Sequence, residues 1–164
     1  MKTDKYQRRF YRDRIKSKDL YEGISETVFA ASLNSSRPIL SGVFISSFDG
    51  GIKLVATDSY RLAEKSINLK GKTSCDVSCI VPARTMMELS KIISKLDDED
   101  VKINISKNQI LFKVGDVDFI SRHIEGKFPD YERIIPKENK TKFEVSIEDL
   151  ALVLKRVSLF AREN

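Results

Sequence analysis

The chain has 164 residues, of which 41% are hydrophobic and 32% are charged, a balance typical of a soluble globular protein. This length gives room for one domain, or for one domain with part of another. No apolar run approaches the roughly 18 residues that a membrane span needs, and the first residues lack the apolar core of a secretory signal. These features predict a cytoplasmic protein.

The net charge of +5 is concentrated at the amino terminus. Residues 1–18 contain eight basic and two acidic residues, so they carry +6 and the remainder carries −1. An interaction with nucleic acid must therefore depend on how the charges are distributed over the fold, because the body of the chain is electrically balanced.

Few residues are available for metal or nucleophilic chemistry. The chain has one histidine, His123, and two cysteines, Cys75 and Cys79, whose spacing matches no zinc pattern. If both cysteines lie on one strand, they are about 13 Å apart, beyond the roughly 7 Å reach of a disulfide. We therefore expect two small core or half-buried residues, no metal site and no cofactor.

Three segments of the chain are alike, each with an extended stretch, a capping residue and an amphipathic run. The capping residues Ser17, Pro82 and Ser146 are separated by 65 and 64 residues. A near-constant period indicates a repeated supersecondary unit. The predicted helices cover residues 18–32, 83–96 and 147–161, preceded by extended residues at 15–17, 79–82 and 143–146.

Between the helices the apolar period becomes two, which is typical of strands. The predicted strands cover residues 39–48, 52–57 and 60–67 in the first unit and 101–106, 110–114 and 117–123 in the second. Turn residues at Asp49-Gly50 and Gly115-Asp116 separate strands as in hairpins. Two βαβββ units, with helices on one face of antiparallel sheets, predict an α+β domain. Residues 125–141 are a connector, and a third unit begins after it.

Several segments together resemble one family. They are RPILSGV (37–43), VATDSYRLA (55–63), IVP (80–82), GKFPDY (126–131) and RIIP (133–136). In this order and at this spacing they resemble the bacterial DNA polymerase III beta subunit, the sliding clamp. The resemblance implies the DNA-clamp fold and a non-catalytic processivity factor, which encircles duplex DNA and holds the replicative polymerase on it.

The resemblance also implies a domain organisation. Residues 15–136 correspond to the central domain of the clamp, and residues 137–164 to the first strand and helix of its third domain. Residues 1–14 form a basic leader that matches nothing in the family. Members of the family have three domains in each chain and close as a head-to-tail homodimer, so we expect the chain as given not to close a ring.

The resemblance implies a surface groove that binds short peptides of the polymerase, the clamp loader and repair proteins. The matching groove residues are Leu40, Thr57, Ser59, Tyr60, Arg61, Leu62, Pro129, Arg133 and Ile134. The apolar residues would form the floor, and Tyr60 and Arg61 are of the types enriched at binding hot spots. From the residues alone, Thr57-Asp58-Ser59 favours an ordinary hairpin turn over a groove.

A stripe of charge runs along the second predicted helix, opposite its apolar side. Arg84, Glu88, Lys91 and Lys95 recur at i, i+4, i+7 and i+11. Such a stripe is usually a solvated surface. In the family the helices line the central hole, so the resemblance implies that Arg84, Lys91 and Lys95, together with Arg37, face DNA phosphates without reading bases.

Two alternatives belong to other functional classes. One is a stand-alone adaptor that binds peptides without forming a ring, and peptide binding without retention on circular DNA would favour it. The other is a metal-dependent nuclease using Asp49, Asp58 and Asp130, which fall in three separate turns. The acidic run at residues 97–100 follows the end of a helix, where the dipole disfavours acids, and we interpret it as a solvated turn.

Overall fold

The computed structural model describes residues 10–33, 37–69 and 78–161, with the backbone alone for residues 10–13. The strands within these residues are β1 (Phe10–Lys16), β2 (Gly42–Phe48), β3 (Gly51–Thr57), β4 (Leu62–Asn68), β5 (Ser78–Pro82), β6 (Asp100–Ile105), β7 (Gln109–Val114) and β8 (Val117–Arg122). The α-helices are α1 (Ser17–Ser25), α2 (Ala83–Ile93) and α3 (Ile147–Phe160). The chain divides into two compact units, residues 1–128 and 129–164.

The described strands form two four-stranded antiparallel sheets, in the orders β1-β6-β7-β8 and β4-β3-β2-β5. Each sheet takes three strands from one βαβββ unit and the first strand from the other. Strand β5 pairs with β2, with Val43 opposite Val81, and β1 pairs with β6, with Ile15 opposite Val101. Neither unit can therefore complete its sheet alone, and the predicted duplication folds as one body.

One apolar core joins both sheets and the first two helices. Helix α1 contributes Leu20 and Ile24, and helix α2 contributes Met86, Leu89 and Ile93, all of them at most 1% exposed. The two helices contact each other. Spacing of three and four residues puts these side chains on one face of each helix, as the apolar period predicted. The prediction of an α+β fold with repeated βαβββ units is confirmed.

The amino-terminal boundary of the first strand was predicted too late. Strand β1 begins at Phe10, so part of the supposed leader lies in a sheet, and the pairing with β6 is irregular between Phe10 and Arg14. Residues 1–9 lie outside the described residues. Ser17 was also wrongly predicted to cap α1: its hydroxyl is buried without a described hydrogen-bond partner, whereas its backbone N–H donates to the Glu99 carbonyl at 2.8 Å.

The first helix is shorter than predicted. The hydroxyl of Thr27 donates to the carbonyl of Gly23 at 2.7 Å, and this carbonyl is the one that the Thr27 N–H would need in a continuing α-helix. The N–H instead donates to Ile24, and a 3₁₀ turn follows at Val28–Ala30. Local side-chain bonding thus ended a helix that the apolar period extended to residue 32.

Two predicted strands begin later than expected, and one is not formed. Pro38 starts a 3₁₀ turn, Pro38–Ser41, so β2 begins at Gly42. The last residue pair between β3 and β4 is Thr57 with Leu62, so β4 begins at Leu62 rather than at residue 60. Residues 143–146 are not a strand, because no described strand pairs with them. The predicted cap of α3 is confirmed, since Ser146 Oγ accepts from the Asp149 N–H at 3.4 Å.

The cysteine prediction is confirmed for Cys79, whereas Cys75 lies outside the described residues. Cys79 is 6% exposed, and burial raises the pKa of its thiol to about 12. His123 directly follows β8, and desolvation by burial lowers the pKa of its imidazole. The Cys79 thiol is therefore not set up as a nucleophile.

Helix α2 offers a direct test of this core. Leu89→Ala should reduce the free energy of unfolding by about 2–5 kcal/mol, because it removes a fully buried side chain from between the sheets. Met87→Ala is the matched control on the same helix, at a residue that is 41% exposed, and should cost about 1 kcal/mol or less. Urea unfolding followed by circular dichroism measures both. Equal losses in the two variants would contradict the assigned orientation of α2.

Candidate functional site

Asp58 organises the turn between β3 and β4. Its Oδ1 accepts hydrogen bonds from the backbone N–H groups of Tyr60 and Arg61, both at 3.0 Å, and its Oδ2 accepts from Arg61 Nε at 3.0 Å. The Thr57 hydroxyl donates to the Arg61 carbonyl at 2.7 Å and accepts from the Ser59 N–H at 3.2 Å. We call residues 57–62 the ordered turn, because side chains satisfy much of its backbone.

The electrostatics of the ordered turn follow from these bonds. The two backbone N–H donors, from Arg61 and then Tyr60, lower the pKa of the Asp58 carboxyl, and the Arg61 side chain adds to the effect. Ser59 has a φ of 82°, a left-handed conformation that costs energy for a residue with a side chain. The charged form of Asp58 holds this conformation in place.

The ordered turn presents large side chains to solvent. Tyr60 is 99% exposed, although its backbone is fixed by Asp58. The Arg61 guanidinium lies 5.8 Å from the centre of the Phe29 ring, and Phe29 is itself 57% exposed. A fixed, exposed tyrosine beside an arginine stacked on an aromatic ring is the composition that anchors a bound segment at an interface.

The 3₁₀ turn before β2 lies next to the ordered turn. Arg37 Nη1 donates to Ser59 Oγ at 3.4 Å, and the Leu40 N–H donates to the Arg37 carbonyl at 3.0 Å. Leu40 is 6% exposed, so its side chain packs beneath this region and leaves little surface for a partner to contact. The structure thus places Arg37 beside Ser59, one of the predicted groove residues.

The remaining predicted groove residues belong to the second compact unit. A 3₁₀ turn, Tyr131–Arg133, holds them, and the Ile134 N–H donates to the Tyr131 carbonyl at 3.0 Å. Arg133 Nε lies 2.6 Å from Asp130 Oδ2, and Ile134 is 69% exposed. With Pro129, also exposed, these residues offer an apolar surface beside a charge pair.

The first compact unit also has a large cavity, away from the predicted groove residues. It has a volume of about 1230 Å³ and is lined by Phe44 of β2, by β5, by the β6–β7 turn and by the end of β8 with the residues after it. The rings of Phe44 and Phe128 stack there at 4.8 Å. None of the predicted groove residues lines it.

The charged stripe predicted on the second helix is present, except that its last residue lies beyond the end of α2. Arg84 and Lys91 are exposed on α2, whereas Lys95 follows the end of the helix. Lys91 Nζ is 3.0 Å from Glu88 Oε1, so its charge is partly balanced. Arg84 lies in the first turn, at the positive end of the helix dipole, where a cation is locally unfavourable. A phosphate at this end would offset that cost.

Residues 14–130 match the family described as DNA polymerase III beta subunit, central domain. This match covers more than half of the chain and contains both βαβββ units. The chain belongs to this family.

Curated relatives agree with this membership. The beta sliding clamp of Staphylococcus epidermidis is 39% identical over 140 residues, which are 85% of this chain and 37% of the relative. The beta sliding clamp of Streptococcus pneumoniae is 38% identical over 148 residues, 90% of this chain and 39% of the relative. The chain therefore spans about two fifths of the length of these relatives.

Solved structures give the same result. The DNA polymerase sliding clamp of Bacillus subtilis has a TM-score of 0.87 and 33% identity, covering 100% of this chain and 44% of that one. A sliding clamp of Pseudomonas aeruginosa bound to griselimycin has a TM-score of 0.72 and 31% identity, covering 77% of this chain and 34% of that one.

Sequence reasoning missed three contributors to the ordered turn. Asp58 was treated as a turn residue or a metal ligand, Phe29 as part of a helix, and Arg37 as a DNA contact. The Asp-Ser-Tyr order was an available signal for Asp58, because an aspartate often accepts from the backbone N–H two residues later. No sequence signal places Phe29 or Arg37 beside the ordered turn, because both contacts join residues distant along the chain.

Two of the three acids named for a nuclease, Asp58 and Asp130, are committed to other bonds. Asp58 accepts the hydrogen bonds that hold the ordered turn. Asp130 pairs with Arg133 in the second compact unit. Within residues 10–33, 37–69 and 78–161, no group of three or more His, Cys, Asp or Glu side chains could hold a metal ion.

The Asp58 carboxyl provides a titration test. Because its folded pKa is lowered, it stabilises the folded turn above its ordinary pKa, and this stabilisation is lost as the pH falls through the lowered value. A carboxyl-detected NMR titration should show an Asp58 midpoint below that of an unstructured aspartate. In Arg61→Ala the midpoint should remain lowered, because the main causes are backbone N–H groups. A return to the ordinary value in this variant would show that the side chain dominates.

Proposed function

We propose that this chain provides the central domain, with the start of a third domain, of a ring that slides on duplex DNA and holds replication proteins through short peptides. The observation that carries the proposal is Tyr60, fully exposed on a turn that Asp58 fixes in position. Membership of the clamp family supports the same role. The domain limits proposed are 15–136 and 137–164, with the central domain now including β1 from Phe10.

The residues proposed to bind the peptide are those implied by the resemblance to the clamp family. Leu40, Thr57, Ser59, Tyr60, Arg61 and Leu62 come from the first unit, and Pro129, Arg133 and Ile134 from the second. We add Arg37 and Phe29 to the first set, because they contact Ser59 and Arg61. An extended segment with aromatic or aliphatic anchors fits such a site. Its proposed sources are the replicative polymerase, the clamp loader and repair proteins.

The contact with DNA is proposed to be electrostatic. Arg84, Lys91 and Lys95 project from α2 and its end, away from the core, and phosphate contacts of this kind carry no sequence information. A ring that must slide needs such binding, because a base-specific contact would stop it. Arg37 is proposed to face DNA with these cations, in addition to its contact with Ser59.

The same proposal makes the protein a non-catalytic component of the polymerase machinery, acting in the cytoplasm on the chromosome. Processivity then comes from high local concentration: a ring that cannot leave DNA sideways keeps its bound polymerase near the primer end. Full-length relatives are proposed to form the ring as homodimers. No helix of the described residues has the length and apolar character needed to cross a membrane.

The groove can be tested with a clamp-binding peptide from the replicative polymerase. Tyr60→Ala should weaken its binding by about 1–2 kcal/mol or more in titration calorimetry, because an aromatic anchor with a fixed backbone is lost. Arg61→Ala and Leu62→Ala should act in the same direction.

Tyr21→Ala on α1 is the matched control, since Tyr21 is 40% exposed and lies outside the groove set, and it should leave affinity unchanged. Griselimycin, present in the Pseudomonas aeruginosa structure, serves as a second probe by competition. Unchanged peptide affinity in all three groove variants would remove the groove from the proposal.

The helix stripe can be tested by charge reversal. Arg84→Glu combined with Lys91→Glu should weaken binding to duplexes of different sequence equally, and should reduce the salt slope of log K by about 2, one for each lost phosphate contact. Fluorescence anisotropy at several salt concentrations measures this.

The matched control is Lys107→Glu combined with Lys127→Glu, two exposed residues away from α2 with the same change in charge. The full chain should be used, because removing the basic residues before Ser17 would also remove β1 from its sheet. A slope that changes equally in both double variants would mean that only net charge matters. If a full-length relative binds the peptide but is not retained on circular DNA, the result would favour the alternative of a peptide-binding adaptor that forms no ring.

A further inference from the structure

A row of cations crosses the outward face of the sheet β1-β6-β7-β8. Arg14 on β1 lies opposite Lys102 on β6, and Lys102 lies opposite Lys113 on β7. We call these three residues the cationic row. Adjacent strands are about 4.8 Å apart, so the row spans roughly 10 Å. Like charges directly opposite each other on neighbouring strands destabilise a sheet, so two such pairs in succession require a reason.

The cations at the two ends of the cationic row are paired with acids, and the one in the middle is not. Arg14 Nη1 lies 3.2 Å from Asp100 Oδ2, and Lys113 Nζ lies 3.1 Å from Asp118 Oδ1. Lys16 takes the other oxygen of Asp100 at 3.0 Å. Lys102 makes no ion pair with any side chain in the described part of the chain, although it has a cation on each side.

The row borders a cavity of about 390 Å³. Its lining consists of Arg14, Lys16, Lys102 and Lys113, with Glu99, Asp100 and Gly115. Hydrogen bonds from Lys16 and Arg14 lower the pKa of Asp100, so this acid stays ionised and is occupied by those two cations. Counting Asp118 and Glu99 with Asp100, four cations face three carboxylates, and the surplus charge is centred on Lys102.

The cationic row lies apart from the residues of α2 proposed to contact DNA and from the ordered turn proposed to bind peptides. Val101 and Ile103 flank Lys102 along β6 and point into the core under the helices, at 0% and 2% exposure. Lys102 therefore points to the opposite face, away from α2 and its DNA-facing cations. Lys102 also lies in a different sheet from β3 and β4, the two strands that flank the ordered turn.

We propose that Lys102, with Arg14, Lys16 and Lys113 around it, binds a small tetrahedral oxyanion such as inorganic phosphate. Phosphate oxygens would accept from the Lys102 ammonium group and from the cations on either side, because charge-assisted bonds of this kind are the strongest available to a surface lysine. The bound anion would relieve the repulsion along the row, and a cavity bordered by the glycine of the β7–β8 turn leaves space for it.

The test uses the full chain and inorganic phosphate at pH 7, with chloride replaced at constant ionic strength. In ¹H–¹⁵N NMR titrations, phosphate should shift the signals of Lys102 and its neighbours on β1 and β7. Lys102→Gln should weaken the binding about fivefold, the upper range for one exposed charge pair. Lys107→Gln, the same change at an exposed turn residue, should bind like the wild type.

Thermal unfolding provides an independent reading. Phosphate should raise the melting temperature of the wild type and of Lys107→Gln more than that of Lys102→Gln. In chloride alone, Lys102→Gln should be at least as stable as the wild type, because it removes two repulsive pairs. Equal phosphate affinity in the three chains, or equal effects of phosphate and chloride, would overturn the proposal.

Discussion

The fold depends on the exchange of first strands between two βαβββ units. Strand β1 completes the sheet of the second unit and β5 completes that of the first, so each sheet is held from both halves of the sequence. This exchange closes one core around α1 and α2. It also fixes which sheet faces are covered by helices and which remain in solvent, and so it determines where every charged or aromatic side chain of the domain can act.

The ordered turn is the clearest local consequence. Pairing of β3 with β4 ends at Thr57 and Leu62, and the chain between them has no ladder partners. Asp58 takes over the backbone bonding at this point, which allows Tyr60 to be both exposed and fixed. Rigid exposure of this kind is useful for binding, because the cost of ordering the backbone has already been met before a partner arrives.

Charge is arranged differently on the two sides of the first compact unit. On the helical side, Arg84 and Lys91 lie on α2 with one acid between them. On the outward side, the cationic row crosses three strands around Lys102. Net charge alone predicts neither arrangement, because most of the excess of basic residues lies near the amino terminus. Position in the fold, rather than composition, distributes these cations between α2 and the outward face of a sheet.

Much of the architecture was determined by the sequence alone: the repeat, the helix at Ala83–Ile93 and the hairpins follow from local periods and turn residues, which need no knowledge of distant contacts. The residues Thr57-Asp58-Ser59 also predicted a turn, although not the side-chain bonds that order it. The start of β1, the contact between Arg37 and Ser59 and the cationic row were decided only by the tertiary structure. Each depends on pairing or contact between residues far apart along the chain, and a local pattern carries no record of which distant strand or side chain will lie opposite.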